Sequence, residues 1–194
     1  MLYIFDMGGV VTSTANDLPR ACELIGISED EFRACCKRPS GEDLFSLCSD
    51  GVISTKEFWK EFSERSGKKV LTNWWHWLFH PVLNEKTVAI IRELKKKGNR
   101  VVCGTNTIDC HYANHIERGD YQYFDQTYAS FLMGVSKPDT LFWKIILASE
   151  QVEPKDAVFI DDRKDNCDAA ASLGIRAIQF TNADDLASLL EVHI

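Results

Sequence analysis

The feature that most constrains this chain is a short apolar run near its start that ends at an acid. Residues 2–5 are apolar or aromatic, and Asp6 follows them, with Gly8 and Gly9 close behind. An apolar run bounded by turn residues predicts a buried strand with Asp6 at its carboxyl end. Because ligands bind outside the carboxyl ends of parallel strands, Asp6 is a candidate functional residue. Aspartate is also common in turns, so this stretch alone leaves a plain turn role open.

The pattern of apolar residues changes twice along the rest of the chain. Helical patterns alone run to about residue 79, over 18–25, 29–36, 54–62 and 74–79. After residue 79, predicted helices alternate with predicted strands. The helices cover 84–97, 109–116, 140–149, 164–173 and a last segment from 184, and the strands cover 100–104, 127–129, 157–160 and 176–180. This alternation predicts an α/β fold, a Rossmann-like doubly wound parallel sheet. We expect residues 1–14 and 82–194 to form this core domain and residues 15–81 to form an inserted all-helical cap.

Composition narrows the class of protein and its partners. A net charge of −7 and an isoelectric point near 5.2 argue against a nucleic-acid partner, whose phosphates would be repelled. No apolar run approaches the roughly 20 residues of a membrane span, and Asp6 interrupts the apolar segment near the start, so we expect neither a membrane contact nor a signal peptide. The seven cysteines, without a CxxC spacing, predict reduced thiols and a cytoplasmic location.

Polar residues follow the other predicted strands at the points where those strands end. Thr105 and Asn106 follow the second strand, Asp161 and Asp162 follow the fourth, and Lys137 stands before a predicted helix. Each feature has a plain alternative, namely a turn, a helix N-cap or a helix start. Because the carboxyl ends of parallel strands meet at one edge of a sheet, we expect these residues to lie together with Asp6.

Together these residue types suit phosphoryl transfer to a carboxylate. A carboxylate and a phosphate are both anions, so attack by Asp6 requires a cation between them. Mg²⁺ held by Asp6 and Asp162 would supply it through oxygen ligands. Lys137 and Thr105 would hold the remaining phosphate oxygens by charge and hydrogen bond. The sequence therefore predicts a magnesium-dependent phosphatase site.

The ordered set of motifs resembles the haloacid dehalogenase superfamily of hydrolases over nearly the whole chain. The motifs are Asp6-Met7-Gly8-Gly9-Val10, Thr105-Asn106, Lys137-Pro138-Asp139 and Ile160-Asp161-Asp162-Arg163. The helical insertion looks like the C1-type cap of that superfamily. Details such as Thr105-Asn106-Thr107 are similar to sugar phosphatases of the glucose-1-phosphate phosphatase type and to the phosphatase domain of soluble epoxide hydrolase.

The resemblance implies a role for each matching residue. Asp6 would be the nucleophile that forms an aspartyl-phosphate, and Mg²⁺ would be bound by Asp6, Asp162 and the backbone carbonyl of Gly8. Asp161 would be an auxiliary metal ligand. The phosphate would be bound by Thr105, Asn106 and Lys137. The implied substrate is a small phosphorylated metabolite, and the implied state is a monomer or weak homodimer.

Gly8 departs from the phosphatase pattern, which has a second aspartate at this position to protonate the leaving alkoxide. General acid catalysis typically contributes about 10²–10⁴-fold, so a weak enzyme that prefers acidic leaving groups is expected. His111, Thr12 or a metal-bound water are candidates to replace the acid. Two alternatives stay open, a 2-haloacid dehalogenase-like hydrolase and a pseudo-phosphatase that binds a phosphorylated ligand without turnover. The pair Asp161-Asp162 counts against a dehalogenase, which needs no Mg²⁺.

The aromatic and histidine residues over 74–80 are expected to pack in the cap. His76 and His80 have the spacing of a metal-binding pair on a helix, but the sequence offers no third ligand nearby.

Overall fold

The centre of the molecule is a parallel sheet of five strands in the order β3-β2-β1-β4-β5. The computed structural model describes residues 1–13 and 17–193. The strands are β1 Leu2–Phe5, β2 Arg100–Thr105, β3 Gln126–Ala129, β4 Ala157–Asp161 and β5 Arg176–Gln179. The predicted α/β fold class is confirmed. The expected domain boundary between residues 14 and 15 lies outside the described residues, so the domain division stays a prediction.

Eleven α-helices are present in the described part of the chain. Those before the second strand are α1 Leu18–Ile25, α2 Glu29–Cys36, α3 Leu44–Ser49, α4 Thr55–Ser66, α5 Trp74–Trp77 and α6 Glu85–Lys96. Those after it are α7 Asp109–Arg118, α8 Ser130–Met133, α9 Thr140–Glu150, α10 Lys164–Ser172 and α11 Ala183–Leu189. Two 3₁₀ turns, Asp120–Tyr123 and Pro154–Asp156, complete the chain.

The first strand shows why the sheet is covered on both faces. Successive side chains of a strand point to opposite faces. Leu2 and Ile4 lie in the apolar cluster that contains Phe142 of α9, whereas Phe5 lies in the cluster that contains Val88 of α6. The strand is therefore apolar at consecutive positions, as expected for a parallel sheet with helices on both sides.

The helices between β1 and α6 have an apolar core of their own. Phe32, Phe58, Phe62 and Trp75 pack together there, with Phe32 and Phe62 ring centroids 4.5 Å apart. Ile108 and Cys110, at the start of α7, belong to the same cluster. The cap helices therefore rest on α7.

Two short helices, α3 and α8, were not predicted. Asp43 precedes α3, and its carboxylate accepts hydrogen bonds from the backbone N–H groups of Phe45 and Ser46, both at 3.0 Å. This N-cap was the signal that the sequence offered, but the helix is only six residues long and shows little periodicity. Helix α5 ends at Trp77, two residues before the predicted end, and is one turn long.

The chain crosses between the core and the cap on two segments that pair with each other. Ser13 donates its backbone N–H to Val82, and Asn84 donates its backbone N–H to Val11. The guanidinium of Arg118 donates to the carbonyl of Pro81 at 2.7 Å. Within the described ranges, no helix has both the length and the apolar character needed to cross a membrane.

Candidate active site

The carboxyl ends of three neighbouring strands meet at one edge of the sheet. Strand β1 pairs with β2 on one side and with β4 on the other. Asp6 follows β1, Thr105 ends β2 and Asp161 ends β4. The strand order therefore brings side chains together that are up to 155 positions apart in the sequence.

Lys137 lies at the centre of this edge and is 5% exposed. Its Nζ atom is 2.9 Å from Asp6 Oδ1 and 2.7 Å from Asp161 Oδ2, and it donates to the carbonyl of Gly104 at 3.0 Å. Burial opposes the charge of the ammonium, but the two carboxylates outweigh burial and raise the pKa of Lys137 above its ordinary value. The side chain is therefore a permanent positive charge between two acids.

Asp6 is held through one of its two oxygens. Oδ1 accepts a hydrogen bond from the backbone N–H of Met7 at 2.7 Å, and the same oxygen faces Lys137. Burial raises the pKa of Asp6 to about 6, although Lys137 acts in the opposite direction. At neutral pH most of the carboxylate is ionised, as a nucleophile requires.

Asp161 is buried and fully committed to hydrogen bonds. Its oxygens accept from the backbone N–H of Arg163 at 2.9 Å and from the amide of Asn166 at 3.0 Å, besides the ion pair with Lys137. This carboxylate therefore positions Lys137, a role that agrees with the auxiliary place expected for it. Asn166 was not among the predicted site residues, because an asparagine inside a predicted helix carries no signal of its own.

Asp6, Asp161 and Asp162 form a candidate metal site. Each offers an oxygen, and the three oxygens lie within 4.8 Å of one another. Asp162 is half-buried, and burial, followed by the neighbouring Asp161 carboxylate, raises its pKa. The Lys137 ammonium pairs with two of the three carboxyl groups, those of Asp6 and Asp161, whereas the guanidinium of Arg163 pairs with Asp165. The cluster therefore contains more acidic groups than basic groups paired with them. A hard divalent cation with oxygen ligands, such as Mg²⁺, fits this donor set.

The two adjacent glycines differ in the space around them. Gly9 has a φ of +81°, and a Cβ atom there would lie 2.6 Å from Asp162 Oδ2. A side chain at position 9 would therefore displace the Asp162 carboxylate. Gly8 has no heavy atom within 4 Å of an added Cβ, and its φ lies outside the left-handed region. Position 8 thus has room for the acid that the resemblance leads one to expect there.

Thr105 and Asn106 are placed differently although they are adjacent. Thr105 is buried, and among the described residues its hydroxyl makes one hydrogen bond, a long one of 3.4 Å to the Asn106 carbonyl. The Asn106 side chain contacts the main chain of Lys137, accepting from its N–H at 2.8 Å and donating to its carbonyl at 2.9 Å. Asn106 therefore fixes the backbone of the lysine, and its role as a phosphate ligand stays a prediction.

A cavity of about 390 Å³ lies beside Lys137 and Asn106, between the core and the cap. Helix α3 supplies Phe45, Ser46 and Ser49 to its wall, and Asp50 follows them. Ser49 is hydrogen-bonded to Ser130 and Ser136 of the core, which were not among the predicted site residues. Serines in unpredicted segments carry no sequence signal, so their convergence became visible only in the structure.

His111 also lines this cavity but is a poor replacement for the missing acid. Its ring stacks on Phe79 with centroids 3.9 Å apart. Burial lowers the pKa of His111 to about 4, so the imidazole is neutral at pH 7. Among the described residues, Nε2 has no hydrogen-bond partner. Thr12 is buried as well, and its hydroxyl donates to the carbonyl of Met7 at 3.3 Å.

The histidines of the cap form no metal site with their neighbours in the described ranges. His76 Nδ1 lies 3.3 Å from the carbonyl of Cys110, and the metal-binding cluster found in this part of the chain is the aspartate group. Trp75 is buried in the cap cluster as expected, whereas Trp77 is 64% exposed.

Comparison with known proteins places this geometry in a family. A family model for haloacid dehalogenase-like hydrolases matches residues 1–174. D-ribitol-5-phosphate phosphatase from Bacteroides thetaiotaomicron is 24% identical over 192 residues, which are 94% of this chain and 92% of that protein. Sesquiterpene phosphatase astK from Aspergillus oryzae is 30% identical over 110 residues, 56% of this chain and 55% of that protein. The chain thus aligns with about half the length of this relative, and with 13–26% of three others.

A solved structure matches nearly the whole fold. The crystal structure of a HAD family enzyme from Bacteroides thetaiotaomicron, in complex with magnesium and inorganic phosphate, superimposes with a TM-score of 0.80. The two chains are 23% identical, and the match covers 97% of this chain and 98% of the other.

Proposed function

Since the chain belongs to the haloacid dehalogenase-like hydrolases, we propose that it is a Mg²⁺-dependent phosphomonoester hydrolase that acts through an aspartyl-phosphate on Asp6. The observation that carries this proposal is the position of Lys137 Nζ, within 3 Å of both the Asp6 and Asp161 carboxylates. Two phosphatases among the relatives and the magnesium and phosphate bound to the similar structure support it. The substrate we propose is a small phosphorylated metabolite.

In the proposed first step, a carboxylate oxygen of Asp6 attacks phosphorus. The P–O bond to the leaving group breaks, and the departing alkoxide takes a proton from solvent water, because position 8 carries no acid. Lys137 neutralises charge on the transferring group, and the Thr105 hydroxyl, whose hydrogen bond to the Asn106 carbonyl is long, can donate to a phosphate oxygen. In the second step, water attacks the acyl phosphate, releases phosphate and regenerates the Asp6 carboxylate.

The residues that would hold Mg²⁺ are Asp6, Asp162 and the carbonyl of Gly8, with Asp161 auxiliary. When bound, Mg²⁺ would supply the positive charge that lets a phosphate dianion approach a carboxylate. We also propose that the helices before α6 act as a C1-type cap. Their contact with α7 and the cavity between α3 and Lys137 support this part of the proposal.

The same aspartate cluster disfavours the dehalogenase alternative. A haloacid dehalogenase reaction needs no metal, and additional unneutralised carboxylates would repel a carboxylate substrate. The pseudo-phosphatase alternative rests on Gly8 alone. Proton transfer can limit turnover without removing the nucleophile or the metal site, so Gly8 favours slow turnover over none.

The decisive experiment measures phosphate release from a panel of phosphate monoesters. We expect activity with Mg²⁺, none in excess chelator, and a loss of at least about 10⁴-fold in Asp6→Asn, since no nucleophile remains. The matched control is Asp168→Asn, an exposed aspartate of α10 that is paired only with Lys164. Undiminished turnover of Asp6→Asn, or full activity without a divalent metal, would contradict the proposal.

A further inference from the structure

A second cavity lies inside the cap. Its volume is about 550 Å³, within the range of small-molecule sites. Five apolar residues, Leu18, Phe32, Cys36, Phe45 and Trp75, line it. Their side chains come from α1, α2, α3 and α5, so the wall is formed by the cap helices.

This cavity adjoins the cavity beside the catalytic lysine. Phe45 and His111 line both of them. The smaller cavity also contains Lys137 and Asn106 in its wall. The two cavities therefore share part of their walls.

Four charged residues line the cap cavity, two of each sign, so their charges cancel. Asp43 caps α3 by accepting two backbone N–H groups, and Arg33 pairs with Glu29 at 3.3 Å. Asp17 and Lys37 are the other two. The cavity therefore has no excess charge for a second anionic group. Neutral His111 adds no charge at the junction.

We propose that this cap cavity binds an apolar leaving group, so that the preferred substrates are phosphate monoesters of hydrophobic alcohols rather than of polyols. This inference rests on the proposed function. Burying a hydrocarbon against Leu18, Phe32 and Trp75 removes apolar surface from water, and each methylene that enters is worth about 0.8 kcal/mol. That energy corresponds to a rise of about fourfold in kcat/KM per methylene until the cavity is filled.

The test is a substrate series assayed with the full chain and Mg²⁺. The alkyl arm runs from methyl to octyl phosphate, the aryl arm contains phenyl and naphthyl phosphate, and the polyol arm is ribitol 5-phosphate. We expect kcat/KM to rise along the alkyl arm by at least 10²-fold and to exceed the value for the polyol. The aryl arm shows whether the cavity accepts flat rings as well as chains.

A matched pair of variants on α1 locates the binding site. Leu18→Asp places a charge in the cavity wall, and aspartate is favourable in the first turn of a helix. Leu24→Asp makes the same change at an exposed position of the same helix outside this cavity. We expect Leu18→Asp to lower the ratio of octyl to methyl phosphate kcat/KM by at least tenfold and Leu24→Asp to leave that ratio unchanged.

Binding provides a readout that does not depend on turnover or on the stability of Leu18→Asp. Calorimetric titration of octyl phosphate into Asp6→Asn with Mg²⁺ is expected to show a negative heat-capacity change, and methyl phosphate a much smaller one. A flat alkyl series, or a best rate on ribitol 5-phosphate that Leu18→Asp does not alter, would overturn the apolar site alone. No phosphate release from any arm would instead refute the proposed function.

Discussion

The core and the cap bury their polar side chains in different ways. At the core edge, Asp6, Lys137 and Asp161 are buried and hold each other by ion pairs. In the described part of the cap, the buried positions are apolar apart from Thr55, and charged groups such as Asp43 and Arg33 serve as helix caps or surface pairs. A buried charge cluster keeps its geometry because any displacement leaves a charge unpaired. This difference supports the proposal that the core performs the reaction and that the cap selects the substrates.

Adding an acid at position 8 should give the largest effect. We expect this effect on kcat, because the acid would act on the leaving group in the core. Gly8→Asp is expected to raise kcat by about 10–10²-fold for alkyl phosphates, because an alkoxide needs a proton, and by little for an aryl phosphate. The site has room for the side chain without backbone strain. The measurement is kcat for the two leaving groups. Gly8→Asn is the control, since it has a similar size but cannot act as the acid.

A folded Gly8→Asp protein that gains nothing on any leaving group would mean that another group already transfers the proton, or that the chain is a pseudo-phosphatase. In the first case, a residue of the cap could be the group that transfers the proton, and the cap would then take part in the reaction itself.

The second prediction tests whether the metal site depends on the close contact at Gly9. Gly9→Ala forces a Cβ atom against the Asp162 carboxylate at a residue with a positive φ. We therefore expect the Mg²⁺ concentration that gives half-maximal activity to rise about tenfold, and the Tm to fall. Gly8→Ala adds the same methyl group where no atom lies within 4 Å and should change neither. Activity titrated with Mg²⁺ and thermal melting measure both. Equal Mg²⁺ dependence in the two variants would remove Asp162 from the metal site.

The third prediction concerns the contact between the two regions. Asp109 of α7 accepts hydrogen bonds from both the hydroxyl of Thr55, at 2.6 Å, and its backbone N–H. Thr55→Val keeps the shape but removes the hydroxyl, and we expect the free energy of unfolding to fall by about 2 kcal/mol. Ser40→Ala, which removes an exposed hydrogen bond to Glu42, should cost less than about 0.5 kcal/mol. Urea denaturation compares the two, and equal losses would show that Asp109 does not tie the cap to the core.

The smallest expected effect is on the pH dependence of the unfolding free energy, through His111, which lines both cavities. Burial lowers the pKa of His111 to about 4, so the unfolded chain, with an ordinary pKa near 6.5, binds the proton more readily. Stability is therefore lost as the pH falls below 6.5. Burial lowers the pKa of His115 as well. The charge of Asp109 opposes the lowering of the His111 pKa, and His76 adds to it. We expect about 1 kcal/mol of the loss between pH 7 and 5.5 to disappear in His111→Gln.

Leu132→Ala, at an exposed position without a titratable group, provides the control for that measurement and should leave the pH dependence of the unfolding free energy as it is. The same pH dependence in wild type and His111→Gln would show that burial of the imidazole does not affect stability.

The sequence predicted the core far better than the cap. Asp6, Thr105 and Asp161 were found because each follows an apolar run, and parallel topology requires such strand ends to share an edge. The contact of Asn106 with the Lys137 backbone and the cluster of Ser49, Ser130 and Ser136 depend on how distant segments dock. No local pattern encodes that docking. The short helix α3 was missed for a different reason, because its six residues show little periodicity.

The unequal space around the two adjacent glycines has an evolutionary consequence. A glycine codon of the form GGT or GGC becomes an aspartate codon by a single base change, and at position 8 the fold leaves space for the Cβ atom of the new side chain. The same base change at position 9 would push against Asp162. From such a codon, one mutation can therefore add an acid at position 8 or remove it again. At position 9, the contact with Asp162 restricts such a change.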